Sequence, residues 1–237
     1  MRRYLIVDDN RAFAENISEI VSDLGDEVSV AESGAQALEL ARAMPFDALV
    51  TDMRMPFMGG AELVHRVRRI DPGVAAVVVT AYVRDGDLDT ARAEGLLATL
   101  PKPVPIGRLL ELLRVARRDG LVVLIEDDHA LSDNLSEALR ARGFSAVTAS
   151  SLLETERLGP VQPFCALVDL RIPGGPDGAA MLQVAQKYPD IPLFVVTALV
   201  EPPPIACERV FHKPFETGEL LDAVEREHAR RRLALPA

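Results

Sequence analysis

Leu5-Ile6-Val7-Asp8-Asp9-Asn10, near the start of the chain, returns as Leu124-Ile125-Glu126-Asp127-Asp128-His129 at its middle. In both places a short apolar run drives straight into acidic residues and an amphipathic stretch follows. Ala12, Asn16, Ser18, Glu19 and Gly25 find counterparts in Ala130, Asn134, Ser136, Glu137 and Gly143, an offset of 118 positions. On this reading His129 stands in the place of Asn10. The likeness continues downstream. Ala48-Leu49-Val50-Thr51-Asp52-Met53-Arg54-Met55-Pro56 matches Ala166-Leu167-Val168-Asp169-Leu170-Arg171-Ile172-Pro173, Val78-Val79-Thr80-Ala81 matches Val195-Val196-Thr197-Ala198, and Lys102-Pro103 matches Lys213-Pro214. Solenoid repeats run ~20–50 residues, so a unit this long is predicted to be a complete domain. The chain divides into 1–118 and 119–237, with the boundary near Arg118-Asp119-Gly120.

Each copy alternates apolar runs with amphipathic stretches, the pattern of a parallel sheet wrapped by helices. In the first copy, strands are predicted at Arg3–Val7, Glu27–Ala31, Ala48–Thr51, Ala75–Thr80 and Leu96–Leu100. Runs so uniformly apolar suit strands covered on both faces. Helices are predicted at Ala12–Leu24, Gly34–Ala43, Gly59–Ile70, Asp87–Glu94 and Ile106–Arg118, with Ser33 and Gly25 as cap residues. This is an α/β, doubly wound plan in duplicate, although the pattern alone does not order the strands. The second copy departs at one place. Thr80 to Lys102 spans 22 positions and Thr197 to Lys213 only 16, and the shorter stretch holds Pro202-Pro203-Pro204. Proline cannot sit inside a helix, so the fourth helix of the second copy is expected to be shortened or missing.

Composition narrows the function. The chain has 237 residues, 26 Lys plus Arg against 36 Asp plus Glu, and a formal net charge of −10. The first copy holds 15 basic and 18 acidic residues (net −3), the second 11 and 18 (net −7). Neither offers the basic face that phosphate backbones require, and 5% aromatic residues with no Trp give no base-stacking platform. Nucleic acid is not an expected partner, and Arg230-Arg231-Arg232 reads as cations at a helix end. No apolar run approaches the ~20 residues of a membrane span, and the N-terminus meets acids too early for a signal peptide. Cys165 and Cys207 cannot form a disulfide framework or a four-cysteine zinc site and read as reduced thiols. The composition thus predicts a soluble protein of the reducing cytoplasm. His65 and His228 read as surface residues on polar helices, and His212 as packed in a strand.

The chemistry belongs at the carboxyl ends of the strands, where doubly wound sheets bind ligands. Asp8 and Asp9 end the first strand, Asp52 the third, Thr80 the fourth, and Lys102 follows the fifth. Three carboxylates brought together repel by ~4 kcal/mol per close pair at an effective dielectric near 20. A divalent cation relieves that repulsion, and an all-oxygen set with room for water suits Mg²⁺. The lysine and the hydroxyl then serve an anion arriving on the cation, so the set reads as phosphoryl-handling. A carboxylate at a strand end can instead be a simple turn or cap residue.

Both copies resemble the response-regulator receiver domain, the phospho-acceptor module of two-component signalling. The resemblance rests on the acidic pair, the Asp before Met-Arg-Met-Pro or Leu-Arg-Ile-Pro, the Thr-Ala step and the Lys-Pro step, and it covers essentially the whole chain. It implies two CheY-like (βα)5 domains with strand order 2-1-3-4-5. It implies Asp52 as the residue phosphorylated by a sensor histidine kinase or histidine phosphotransfer protein, with Thr80 and Lys102 binding the phosphoryl group. Mg²⁺ would lie on Asp9, Asp52 and the Arg54 carbonyl, with Asp8 acting mainly through water. In the second copy the same roles fall to Glu126, Asp127, Asp169, Arg171, Thr197 and Lys213. The family's Lys-Pro bonds are usually cis, which the resemblance implies for 102–103 and 213–214. Its signalling aromatic, three positions before the lysine, is here Thr99 or Val210; Tyr82 is one substitute, while Phe211 should face the other side of its strand.

The expected function is therefore a stand-alone tandem regulator that signals to a protein target, with a homodimer as one arrangement. It would be an enzyme only towards its own phosphate. The short Asp119-Gly120 connection reads as a fixed or hinge-like join. The alternative is a scaffold of degenerate receivers that does not use phosphate, favoured by the missing aromatics and the shortened segment. A dedicated aspartyl phosphatase would need an acid two residues after the nucleophile, where Arg54 and Arg171 stand.

Overall fold

The computed structural model describes residues 1–81, 91–159, 161–200 and 203–234. The chain divides into two compact units, Met1–Asp119 with Gly143–Ser145, and Gly120–Arg142 with Ala146–Ala237. In the first, β1 (Arg3–Val7), α1 (Arg11–Ser22), β2 (Glu27–Ala31), α2 (Gly34–Ala43), β3 (Ala48–Asp52), α3 (Gly60–Ile70), β4 (Ala75–Thr80), β5 (Ala98–Pro101) and α4 (Ile106–Val115) follow in order. The sheet order is β2-β1-β3-β4-β5, and the registers of β1 with β2 and β3, and of β4 with β3 and β5, are parallel.

The period-2 alternation of the strands sorts their side chains onto two covered faces. Leu5, Val7, Leu49, Ala76 and Val78 pack with Leu38 of α2 and Leu63, Val64 and Val67 of α3. Tyr4, Ile6, Val50, Val77 and Val79 pack with Ile17 and Val21 of α1 and Leu109, Leu112 and Leu113 of α4. Burial on both faces explains why these strands carry no polar alternation. Asn10 and Ser33 cap α1 and α2 by accepting the Phe13 and Gln36 amides, and Gly25 makes the left-handed exit after α1 at φ +89°.

The second unit holds β6 (Leu121–Ile125), α5 (His129–Ala141), β7 (Ser145–Ala149), α6 (Leu152–Arg157), β8 (Cys165–Val168), α7 (Ala179–Lys187), β9 (Leu193–Thr197), β10 (Arg209–His212) and α8 (Thr217–Ala234). Its sheet order, β10-β9-β8-β6-β7, repeats the first in reverse listing. Val123, Ile125, Val147, Val168 and Val195 face Met181 and Val184 of α7. The fold class is therefore the doubly wound one expected, in duplicate. Among the described residues between Thr197 and Arg209 none is helical. There the chain lays Pro204 where a side chain on Gly178 would meet its ring at 2.8 Å.

Of the expected helix at Asp87–Glu94, residues 87–90 lie outside the described residues, as do Tyr82 and Pro202, while 91–93 are helical. The last helix of the first unit stops at Val115 rather than at Arg118. Arg118 instead donates to the Phe46 carbonyl and to both oxygens of Asp71, and this bidentate pair draws the chain off the helical path. His228 is buried, not at the surface, and meets the Phe164 ring edge-on at 5.0 Å, because it shares the inner stripe of α8 with Leu220, Leu221 and Val224. His212, at the end of β10, is exposed rather than packed, since the strand's alternation turns Phe211 inward.

One glycine sets how close α3 comes to β3. A Cβ on Gly60 would lie 2.4 Å from the Asp52 carbonyl oxygen, and that oxygen is backbone and cannot step aside. Gly60→Ala is expected to cost about 1–3 kcal/mol by overpacking, read as a fall in the urea midpoint of the first unit. Gly107→Ala, which meets nothing within 4 Å, is the control.

Candidate functional site

In each unit the strand ends converge on a carboxylate cluster. Asp8 leaves β1 with its amide bonded to the Ala31 carbonyl, Asp52 closes β3, and Lys102 follows β5 with its amide on the Thr80 carbonyl at 2.9 Å. The topology thus brings together residues up to 94 positions apart. Lys102 Nζ donates to Asp8 Oδ2 at 2.9 Å and to Asp52 Oδ2 at 2.8 Å. Carboxylate oxygens of Asp8, Asp9 and Asp52 lie within 4.8 Å of one another, with Asp8 buried, Asp52 half-buried and Asp9 exposed. Thr80 is buried at the end of β4, and Arg54 is exposed on the loop after β3.

The second unit repeats the construction. Glu126 takes Asp8's place, its amide on the Ala149 carbonyl at 3.0 Å, and the amide of Lys213 bonds the Thr197 carbonyl at 2.8 Å. Lys213 Nζ donates to both oxygens of Glu126 at 2.8 Å and to Asp169 Oδ2 at 2.7 Å. Asp169 Oδ1 accepts the Arg171 amide, and Thr197 Oγ1 accepts the Leu199 amide. Glu126, Asp127 and Asp169 again gather within 4.8 Å. One alignment is corrected here. Asp128, not His129, occupies the place of Asn10, since it caps α5 by accepting the Ala130 and Leu131 amides as Asn10 caps α1. The acidic pair hid this, because Asp127-Asp128 imitates Asp8-Asp9 one residue out of register.

Each cluster sets three carboxylates against one ammonium, leaving two negative charges among the groups named. Burial by itself would lower the Lys102 ammonium, but its bonds to Asp52 and Asp8 outweigh burial and raise its pKa. Lys213 behaves alike, with Asp169 and then Glu126 opposing burial. Burial raises the Glu126 carboxyl above the usual range despite Lys213. Oxygen donors only, close together and with two charges to spare, form a set that fits a small hard dication better than a thiol-seeking metal.

The raised Glu126 value has a sign. The folded state holds that proton more tightly than the unfolded state, so the group's contribution to stability falls as pH rises from its ordinary value through its folded one. Glu126→Gln removes that slope. The stability of the wild type minus that of the variant is expected to fall as pH rises from the ordinary glutamate value through the raised folded one, measured by urea titration in the absence of divalent cations.

A family model described as the response regulator receiver domain matches residues 4–114. A response regulator receiver protein of Anaeromyxobacter sp. (strain Fw109-5) is 64% identical over 231 residues, 98% of this chain and 97% of that protein. The chain belongs to the response regulator receiver family. This receiver protein is also similar to the signal transduction histidine-protein kinase BarA of Shigella flexneri, 36% identical over 114 residues, 46% of the chain but 12% of the kinase. A CheY-like receiver domain protein from Methanospirillum hungatei JF-1 shares 29% identity at a TM-score of 0.47, covering 48% of this chain and 91% of that structure. Among the described residues of the receiver protein, no helix is long and apolar enough to cross a membrane.

Proposed function

We propose that the chain is a tandem response regulator, with receiver domains at 1–118 and 119–237, phosphorylated on Asp52 and on Asp169. The observation that carries this reading is the double occurrence of one constellation: three carboxylates within 4.8 Å, two of them bonded by a lysine that also ties its backbone to the threonine strand end. The phosphodonor is a sensor histidine kinase or a histidine phosphotransfer protein. The downstream target is a protein, reached in the cytoplasm.

An Asp52 carboxylate oxygen forms the new O–P bond as the P–N bond of phosphohistidine breaks. The imidazole nitrogen leaves with the electron pair and is protonated. Asp8, Asp9, Asp52 and the Arg54 carbonyl would hold Mg²⁺, and Glu126, Asp127, Asp169 and the Arg171 carbonyl would do so in the second domain. The cation, when bound, supplies charge neutralisation for an anion approaching an anionic pocket. Lys102 and Lys213 turn their ammonium groups from carboxylate to phosphoryl oxygens, and the Thr80 and Thr197 hydroxyls donate to the same oxygens. Chemistry beyond self-phosphorylation and loss of the acyl phosphate is not part of this reading.

The test is incubation of the full chain with acetyl phosphate and Mg²⁺, followed by intact-mass counting of phosphoryl groups. Two additions, both abolished by chelation, are expected. A chain that takes up none from acetyl phosphate or from any phosphorylated kinase, and that binds no Mg²⁺ by calorimetry, would be the degenerate scaffold. Thr99 and Val210, at the places where an aromatic couples acceptor to surface in this family, are what favour that second reading.

A further inference from the structure

Phe57 combines two unfavourable features in one residue. Its backbone lies at φ 66°, the left-handed region where a Cβ crowds the adjoining carbonyl. Its side chain is wholly exposed, at 106% of the reference area. The residues on either side of the loop behave differently, for Met55 is buried in the core of the first unit and Met58 packs against it. The second unit meets the same backbone requirement without any side chain: Gly174 follows Pro173 as Phe57 follows Pro56, at φ +108°. The turn therefore does not need an aromatic residue, and the fold does not use the ring.

A strained backbone position carrying a bare aromatic ring points to contact outside the chain. Its location says with what. Phe57 is five residues beyond Asp52, on the loop that joins β3 to α3 and leaves the strand end where Asp52 meets Asp8 and Lys102. A protein that delivers a phosphoryl group to Asp52 must bring its phosphorus within bonding approach of the carboxylate, and its body then covers this loop. A small phosphodonor reaches Asp52 without touching it.

We propose that Phe57 is the docking anchor for the protein phosphodonor of the first domain, its ring entering an apolar pocket beside the donor histidine. The second domain, with Gly174 in that place, lacks the anchor, so the two acceptors discriminate between donors. The proposal rests on the reading of Asp52 as the acceptor.

The test uses the full chain carrying Asp169→Ala, so that only Asp52 is counted. Phe57→Asn removes the ring while keeping a residue that tolerates the left-handed turn, and Phe57→Tyr keeps the ring. Initial rates are measured with acetyl phosphate and with a panel of autophosphorylated sensor kinases. With acetyl phosphate the three chains are expected to agree within about twofold. With the fastest kinase, Phe57→Asn is expected to be slower by roughly tenfold or more, as for loss of an interface hot spot, and Phe57→Tyr to match the parent. Equal kinase rates, or no kinase faster than acetyl phosphate, would overturn the anchor while leaving the acceptor reading in place. Absence of labelling from every donor would remove both. A fall in the urea midpoint of Phe57→Asn would mean that the ring packs within the fold. A shift from dimer to monomer in sedimentation would mean that it seats a second copy. Either result counts against the proposal.

Discussion

Asp52→Ala should take up one phosphoryl group where the parent chain takes up two, and Asp52→Ala combined with Asp169→Ala should take up none. The expectation follows from which carboxylates are engaged. Asp8 is buried and has both oxygens committed, Oδ1 to the Asn10 amide and Oδ2 to Lys102. Asp52 is the more accessible of the two carboxylates on that lysine, at 12% against 2%. Asp169 has Oδ1 on the Arg171 amide and Oδ2 on Lys213, and is less accessible than Asp52. Its addition should therefore be the slower one, since a bond must be given up before an oxygen can attack. Intact mass against time, with Asp52→Ala and Asp169→Ala run separately, resolves the two rates. An Asp52→Ala chain that still takes up two groups would show that the first acceptor lies elsewhere.

The second large effect is on stability. Lys213 is the ammonium that bonds Glu126 and Asp169, which are 1% and 7% exposed. Lys213→Met keeps most of the side-chain volume but leaves two buried carboxylates facing each other. Removing one partner of a buried ion pair costs about 3–5 kcal/mol, and the lower end is expected here because the lysine is itself partly open to solvent. Lys102→Met should cost less, about 2 kcal/mol on the same argument, because Lys102 and Asp52 are more exposed. The lysines' raised pKa values set the window. Their contribution is fully present below the ordinary lysine value and is lost as pH rises through the raised folded value. Urea midpoints at neutral pH, with and without Mg²⁺, provide the measurement. The added cation should narrow both gaps, and a Lys213→Met chain as stable as its parent would contradict the electrostatic account.

Much of this architecture was legible because its signals are local and repeated. Strands covered on both faces are apolar almost throughout, so β1, β4 and the β3 core could be placed nearly to the residue. A carboxylate directly after such a run lies at a strand end wherever the strand sits in the sheet, which is how Asp8, Asp52 and Lys102 could be grouped across long separations. What escaped depends on tertiary partners. The stop of α4 at Val115 needs Asp71 to be in reach of Arg118. The burial of His228 needs Phe164 beside it. The His129 alignment failed because two adjacent aspartates differ only in what they bond, one placed in the cluster and the next capping a helix. Phe57 left no trace in composition or periodicity. A Pro-Phe step looks like core until the backbone torsion and the exposed ring are seen together, and Gly174 in the matching place was the available hint.

The cluster in the first unit draws Asp8 from β1, Asp52 from β3 and Lys102 from beyond β5, so it comes into being only when the outermost long-range pairings have formed. Such pairings are the late, entropically expensive steps of folding. No fragment short of nearly the whole unit can present the site. A ligand that binds there selects the complete sheet over every partly opened form, and by mass action its free energy is added to all of them at once. Amide protection should therefore rise together in β1, β3 and β4 when the site is filled, rather than in the loops that touch it. Occupancy of the pocket and integrity of the domain are then one equilibrium observed from two ends.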